Sequence, residues 1–405
     1  MRSNKMPRLT FQAHGQFDED CWHSILISLL RGVAAFVVAA AHLRAEMYPG
    51  LRTLADPSLW FQGFAFATGF AHQAVLVFFV ISGWLVGGSL LNKIGQPGAL
   101  TNYAIDRATR LWTVLLPTFV LTLLLGLGTG VLLPGSIDFS AANEFSALSF
   151  AGNLLGLQRV VLANFGGNYA LWSLANETWY YVMFPLLVLL FTARSPSMRI
   201  ASGGALVLAT VLLPLEILLY FAIWLLGVAF SRLRIECGFG VRCAWLVPLA
   251  AMSVYFRLTA DNDRFDQTTL GMDLALSLMF LAMLSSLRFN AAPTSKLARP
   301  LARFGTFFAN FSFSLYVLHL PFIFLLKHVT LAQFGLRQLS PGEPRHFAVY
   351  LVMLGVLLLG SYLSYLLFEA QTYRIRRLVK NLVGGRTVTR AAAPAPAPAP
   401  TPAER

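Results

Sequence analysis

Long apolar stretches alternate with short polar connections along almost the whole chain. Stretches of spanning length recur between residues 24 and 369, and each predicts a helix because a backbone inside lipid must satisfy its own hydrogen bonds. The candidate spans are 24–43, 70–91, 111–133, 171–192, 200–214, 216–231, 243–257, 270–288, 312–331 and 347–369. The pattern predicts an all-α integral membrane protein with about ten transmembrane helices.

Two of these assignments have alternatives. Pro214 and Glu216 separate spans five and six, which could instead form one broken element. Span seven is short and contains Pro248.

Composition and charge support membrane residence. Hydrophobic residues make up 57% of the 405 residues and charged residues only 12%, far from the balance of soluble domains. The net charge of +13 could suggest nucleic acid binding, but the basic residues lie in short connections, where they set topology. With the N-terminus inside, the connections on that side carry most of the Lys and Arg. We therefore predict that both termini are cytosolic and that nucleic acid is not a partner.

Three regions follow from this pattern. Residues 1–23 are predicted to form a cytosolic N-terminal segment, and residues 24–380 a single transmembrane domain. Residues 381–405 end in an Ala-Pro alternation, which cannot bury a core and predicts an extended, disordered tail.

Span one carries two polar residues, Arg31 and His42, in an otherwise apolar helix. Their spacing brings both to the same side of the helix, with a rise of about 16 Å between them. An intramembrane Arg is costly and needs a partner or water. We interpret the pair as a functional polar line with His42 near the outer edge of the bilayer. In the alternative, Arg31 snorkels inward and His42 caps the helix.

A carboxylate lies at a similar predicted depth. Glu177 follows Trp172 and Ser173 where span four begins on the outer side. A His and a carboxylate at one depth can form an acid–base pair. The sequence therefore predicts His42 and Glu177 as catalytic residues.

Arg107 and Arg110 share a helix face just before span three, on the predicted cytosolic side. Two guanidinium groups in this arrangement suit a phosphate-bearing ligand. Ordinary positive-inside anchoring is the competing interpretation, and the spacing alone does not decide between them.

Spans nine and two carry further polar residues. Ser312, Tyr316 and His319 line one face of span nine, which we expect to turn inward. In span two, Ser82 and Gly83 favour close helix packing, as small residues commonly do in membranes.

Together these pieces resemble the acyltransferase-3 family of membrane acyltransferases over roughly residues 24 to 380. The motifs that carry the resemblance are Arg31 with His42, FFVISG at 78–83, RATR at 107–110, LWSLANE at 171–177 and SLYVLH at 314–319. Their order on the predicted spans makes a chance match improbable. One departure occurs at the end, where the family's closing Glu-x-Pro motif is Glu369-Ala370-Gln371; Glu369 could simply pair with Arg residues of the tail.

The resemblance implies transfer of an acyl group, most often acetyl, from cytosolic acyl-coenzyme A to a sugar hydroxyl of an exported or cell-surface glycan. The resemblance is to the stand-alone form of the family, without an extracytoplasmic hydrolase-like domain. It implies a multi-pass protein of the bacterial inner membrane. Acyl-coenzyme A is expected as donor substrate, with no permanently bound cofactor and no metal.

The implied donor site and chemistry fall on named residues. The donor phosphates are expected to bind at Arg107 and Arg110. The pantetheine arm is expected to run past Arg31. His42 is expected to act as general base or transient acyl carrier. Supporting roles are expected for the polar residues Trp172, Ser173, Ser82, Tyr316 and His319.

Two other classes of function remain open at this point. A transporter of a solute or lipid-linked sugar would also place polar residues at mid-membrane, although no inverted repeat is visible in the sequence. A non-catalytic membrane scaffold would tolerate the loss of His42.

Overall fold

The computed structural model describes residues 7–15, 21–133, 135–136, 138–259, 264–289 and 297–383. The described residues are mainly helical, with one two-stranded antiparallel sheet, β1 (Arg8–Phe11) and β2 (Leu233–Glu236). The α-helices in chain order are α1 Trp22–Met47, α2 Leu59–Ala67, α3 Ala71–Ser82, α4 Gly88–Lys93, α5 Ala99–Gly128, α6 Ala147–Leu154, α7 Leu171–Thr192, α8 Pro196–Leu212, α9 Leu215–Phe230, α10 Phe239–Thr259, α11 Leu270–Ser286, α12 Ala298–Phe334, α13 Pro344–Leu367 and α14 Thr372–Val383.

Each predicted span coincides with a helix. Seven helical segments of the described chain are long and apolar enough to cross a membrane, which supports a multi-pass membrane protein. Three shorter apolar helices, α8, α9 and α11, occupy the positions of spans five, six and eight. The count of ten rests on these three and stays a prediction, as does the assignment of the two sides.

The centre of the bundle is the packing of α1 against α12. Gly32 lies against Phe308, and Gly305 lies against the backbone of Leu29, so closely that an added Cβ would be 2.4 Å and 2.9 Å from those neighbours. Helices that approach this closely use small residues in place of larger side chains. This contact sets the polar residues of α1 beside those of α12.

A second close contact joins α3 to α9. A Cβ added to Gly83 would lie 1.9 Å from the carbonyl oxygen of Trp224, and one added to Gly227 would lie 2.1 Å from that of Val80. The same region contains a π-helical turn, Gly83–Gly87, which connects α3 to α4. Such turns redirect the side chains around them and are frequent at functional sites.

Several chain segments lie at one end of the bundle. Trp22 at the start of α1 donates its backbone N–H to the carbonyl of Phe289 after α11. At the start of α5, Asp106 is 2.7 Å from Lys380 of α14. Glu369, between α13 and α14, accepts hydrogen bonds from Ser314 of α12. The helix α14 therefore lies beside α5 at this end of the bundle.

The predicted disordered tail begins at residue 381, and α14 ends at Val383. Residues 384–405 lie outside the described residues, so the state of the tail stays a prediction.

Candidate functional site

A cavity of about 230 Å³ lies between α1, α3, α5, α7 and α12. Its lining combines apolar side chains with most of the polar residues that the sequence identifies as candidates. The polar lining residues are Arg31, Ser82, Arg107, Arg110, Ser173, Glu177, Tyr181, Ser312 and Tyr316. The fold thus brings together residues from five helices that are far apart in the sequence.

Three guanidinium groups, those of Arg31, Arg107 and Arg110, face this one cavity. Within the described part of the chain, no hydrogen bond or ion pair to any of them occurs, although Arg107 lies over the rings of Tyr103 and Tyr181. Buried cations without paired anions are costly. The cavity is therefore electrostatically suited to an anionic ligand with several acceptor oxygens.

Glu177 lies on the wall of the same cavity. Its Oε1 accepts hydrogen bonds from the hydroxyl groups of Ser82 and Tyr181, and Ser82 in turn accepts one from Trp224 Nε1 at 3.1 Å. Tyr181 is one helical turn after Glu177, so both side chains extend from the same face of α7. These contacts fix the carboxylate among the Arg side chains.

Two hydroxyl groups connect α7 to α12 at the cavity wall. Ser173 Oγ and Tyr316 Oη lie 2.6 Å apart, and Tyr316 also lies against Phe78 of α3. Both hydroxyl groups are O–H donors directed toward a mostly buried space. One of the two donates to the other, and each also lies 3.3 Å from the carbonyl oxygen of Ala170, so at most one O–H can be donated to a ligand oxygen in the cavity.

His42 pairs with another histidine. Its Nδ1 lies 2.8 Å from Nε2 of His319, and the Nδ1 of His319 lies 2.7 Å from the carbonyl oxygen of Tyr316. Because a carbonyl only accepts, His319 Nδ1 carries the proton that is donated. With both rings neutral, His319 Nε2 accepts from His42 Nδ1–H, which leaves the lone pair of His42 on Nε2.

The histidine pair lies between the cavity and a polar cluster. On one side, His319 follows Tyr316 of the cavity wall by less than one helical turn. On the other side, the ring of Tyr169 contacts that of His42 at 5.3 Å between centroids. Tyr169 donates to Glu46 at 3.4 Å, and Glu46 pairs with Lys327 at 2.8 Å. The histidine pair thus connects the cavity wall with this cluster.

The structure separates some residues that the sequence groups together. His42 and His319 do not line the cavity itself, and Trp172 packs against Phe79 and Phe265. Among the described residues, no hydrogen bond joins Glu177 to His42: each has other partners, and His319 takes the position expected for Glu177. A single sequence does not indicate that span nine packs against span one.

Glu369 has a defined place beside the cavity. Its Oε2 accepts from the backbone N–H of Ser314 at 3.1 Å and from its hydroxyl at 2.7 Å, and Arg31 and Arg110 are the nearby cations. Its hydrogen-bond partner among the described residues is Ser314 of α12; the Arg residues of the tail lie outside the described residues. Although Gln371 stands where the closing motif has proline, Glu369 is present and its carboxylate anchors α12.

Within the described ranges, no group of three or more His, Cys, Asp or Glu side chains is arranged to hold a metal ion.

Comparison with known proteins gives one match. A family model described as an acyltransferase domain matches residues 25–368, which include every residue of the cavity and the histidine pair. No curated protein and no solved structure gives a significant match.

Proposed function

We propose that this chain, which belongs to the acyltransferase-3 family and is a membrane acyltransferase, moves an acyl group from cytosolic acyl-coenzyme A to a sugar hydroxyl in an exported or cell-surface glycan. The acyl group is acetyl in the simplest case. The single observation that carries this proposal is the cavity with three guanidinium groups that have no hydrogen bond or ion pair among the described residues, close to a histidine pair. The membrane is proposed to be a bacterial inner membrane, where cytosolic donor and exported acceptor meet.

The Arg residues support an anionic donor. Coenzyme A carries a diphosphate and a separate ribose phosphate, and guanidinium groups bind phosphate through charge-assisted hydrogen bonds. Arg107 and Arg110 bind the phosphates, and Arg31 lies deeper along the path of the pantetheine arm. The apolar lining, with Phe78, Phe79 and Leu174 among its members, suits that arm and the acyl chain.

The histidine pair supports activation of the acceptor. As general base, His42 Nε2 takes the proton of the acceptor hydroxyl while its oxygen forms a bond with the thioester carbonyl carbon. The carbon–sulfur bond then breaks, and the thiolate leaves with the proton as free coenzyme A. In the second route, His42 Nε2 forms the bond with the acyl carbon while the carbon–sulfur bond breaks, and the thiolate takes up a proton and leaves as free coenzyme A. The acceptor hydroxyl then attacks the acyl carbon, loses its proton, and the carbon–nitrogen bond breaks, which restores the neutral imidazole. Both routes need the same free nitrogen.

Hydroxyl groups at the cavity wall support the transition state. Negative charge develops on the carbonyl oxygen when the tetrahedral centre forms, and donors already aimed at that position stabilise it. Tyr316, three residues before His319, provides an O–H group there while its oxygen accepts from Ser173. Glu177 orders Ser82 and Tyr181 around the donor.

The test uses purified protein in proteoliposomes, labelled acetyl-coenzyme A and a glycan acceptor. Wild type should release coenzyme A and label the acceptor, and His42→Ala should lose at least about a hundredfold in transfer, the lower range of general-base contributions. His328→Ala is the matched control, because His328 is an exposed histidine of the same helix as His319. Full transfer by His42→Ala would overturn the mechanism.

The same assay separates an enzyme from a transporter. A transporter moves its substrate across the vesicle membrane without consuming the acyl donor. Movement of a lipid-linked sugar with no release of coenzyme A would therefore contradict the proposed reaction.

A further inference from the structure

The helix α14 carries basic side chains on two sides. Arg376 Nε lies 3.4 Å and Lys380 Nζ 2.7 Å from Oδ1 of Asp106 in α5, so these two side chains point toward the bundle. Arg374 and Arg377 are exposed. The inward pair, Arg376 with Lys380, and the outward pair, Arg374 with Arg377, are therefore distinct surfaces of one helix.

The inward pair enlarges the positive charge at the cavity mouth. Asp106 directly precedes Arg107, and Arg376 lies within electrostatic reach of both Arg107 and Arg110. Arg376 and Lys380 share the single carboxylate of Asp106, whereas Arg107 and Arg110 have no hydrogen bond or ion pair within the described residues, and Glu369 is the carboxylate near Arg110. Like charges gathered at partly buried positions repel one another unless an anion lies between them.

The distribution of the cations argues for an extended polyanion. Arg107 and Arg110 lie on the cavity wall, whereas Arg376 and Lys380 lie on a separate helix on the far side of Asp106. A single small anion could satisfy only part of this set. A ligand with a diphosphate and a second phosphate spans it, with its uncharged end in the cavity.

We propose that α14 forms one wall of the donor site, where Arg376 and Lys380 bind phosphate groups of acyl-coenzyme A together with Arg107 and Arg110. Asp106 is the counter-ion that holds the two side chains in place when no donor is bound. This inference rests on the proposed function, because it assigns more residues to the same donor.

An anionic lipid headgroup has the same phosphate chemistry. The outward side of α14 suits a lipid surface, since Arg374 and Arg377 alternate with the exposed apolar residues Tyr373, Leu378 and Leu382. The inward pair is turned away from that surface and toward Arg107. If the phosphate belongs to a lipid headgroup, substitution of the outward pair should matter. If it belongs to coenzyme A, substitution of the inward pair should matter.

The experiment compares two donors in nanodiscs of neutral lipid. Acetyl-coenzyme A carries the phosphates, and S-acetyl-pantetheine lacks them but has the same thioester. Arg376→Gln with Lys380→Gln should raise the KM for acetyl-coenzyme A by about tenfold or more, as expected for lost hydrogen bonds to charged groups. The KM for S-acetyl-pantetheine and the kcat for both donors should stay unchanged.

Two further variants serve as controls. Arg374→Gln with Arg377→Gln removes the same charge from the same helix on the outward side and should leave both KM values at the wild-type level. Arg376→Lys with Lys380→Arg keeps both charges and should restore most of the affinity, which shows that a loss in the Gln variant is not a failure to fold.

Each remaining outcome decides the question. Equal KM changes for both donors, or none, would overturn the proposal. An effect of the inward pair that appears only when anionic lipid is added would assign the cluster to lipid and also overturn it. If wild type transfers no acyl group, coenzyme A binding is measured directly: weaker binding to the inward Gln variant alone supports the site while the proposed reaction fails, and absence of binding to wild type overturns both.

Discussion

At the scale of single residues, the histidine pair assigns different tasks to two chemically identical side chains. His42 keeps a free Nε2, while His319 uses both ring nitrogens, one toward His42 and one toward the carbonyl of Tyr316. A residue that only orients and polarises a base changes the rate of the chemical step and not the binding of the donor. His319 is therefore a positioning residue.

The substitution His319→Ala should lower kcat by about a hundredfold, in the range of a lost general base, and leave the KM for the donor unchanged. His319→Gln should keep more activity than His319→Ala, since its amide oxygen can accept the hydrogen bond from His42 Nδ1. Initial rates over a range of donor concentrations measure both constants. A matching rise in KM, or equal rates for the two variants, would mean that His319 supports only the packing of α12.

The hydroxyl of Tyr316 has a separate role at the cavity wall. If it donates to the developing oxyanion while accepting from Ser173, Tyr316→Phe should lower kcat by about a hundredfold, the loss typical of one such donor. Tyr362→Phe is the control, because Tyr362 packs against Phe307 and Phe311 away from the cavity. An unchanged kcat in Tyr316→Phe would remove the tyrosine from the reaction.

At the scale of the elements, close helix packing fixes the position of Ser82. Gly83 lies against the Trp224 carbonyl, and Ser82 just before it donates to Glu177 while accepting from Trp224. Any widening between α3 and α9 would therefore also move a wall of the cavity. Stability and donor binding are coupled through this one contact.

The substitution Gly83→Ala should destabilise the protein by about 1–3 kcal/mol, as overpacking does in tight cores. Its Cβ would lie 1.9 Å from backbone, which cannot move without shifting α9. Gly204→Ala in α8 is the control, since an added Cβ meets nothing within 4 Å there, and a helical Gly→Ala change in open space stabilises slightly. Thermal unfolding in detergent compares them; equal melting temperatures would contradict the packing.

The sequence predicts those elements that have a long apolar stretch or a local helical periodicity. The spans were predictable because lipid demands long apolar helices, and the shared face of Ser312, Tyr316 and His319 because helical periodicity is local. The short helices α2 and α6 and the amphipathic α14 lie in segments without that signal.

The parts of the site that depend on tertiary contacts were not predictable. Periodicity shows which residues share a face, but not which helix that face meets. The pairing of His42 with His319, of Glu369 with Ser314, and of Asp106 with α14 each joins residues distant in the sequence. The i,i+4 spacing of Glu177 and Tyr181 was a local signal that could have identified one further contact.

At the scale of the whole molecule, polar groups form a path through an apolar bundle. Asp106 lies beside the cavity, Arg110 and Arg31 line it, and the pair of His42 and His319 lies between the cavity wall and the cluster of Tyr169 and Glu46. In the proposed reaction, donor and acceptor would approach these polar residues from opposite ends of the bundle. Which end faces the cytosol follows from the sidedness of the chain, which the charge asymmetry predicts.

Sidedness and span number can be measured together by cysteine labelling. In a variant with Cys21, Cys237 and Cys243 replaced, single cysteines are introduced at exposed connections and treated with a membrane-impermeant thiol reagent in spheroplasts. Positions predicted outside are Ser140→Cys, Leu215→Cys, Thr268→Cys and Ser340→Cys, and positions predicted inside are Ser197→Cys and Arg374→Cys.

The outside set should react in intact spheroplasts and the inside set only after permeabilisation, because the connections rich in Lys and Arg stay in the cytosol. Leu215→Cys tests the short helices α8 and α9: if neither crosses, it reacts on the same side as Ser197→Cys. Thr268→Cys tests α10 and α11 in the same way against Arg374→Cys. Labelling of Arg374→Cys from outside would invert the bundle, place Arg107 and α14 away from the cytosol, and exclude a cytosolic donor at that end of the path.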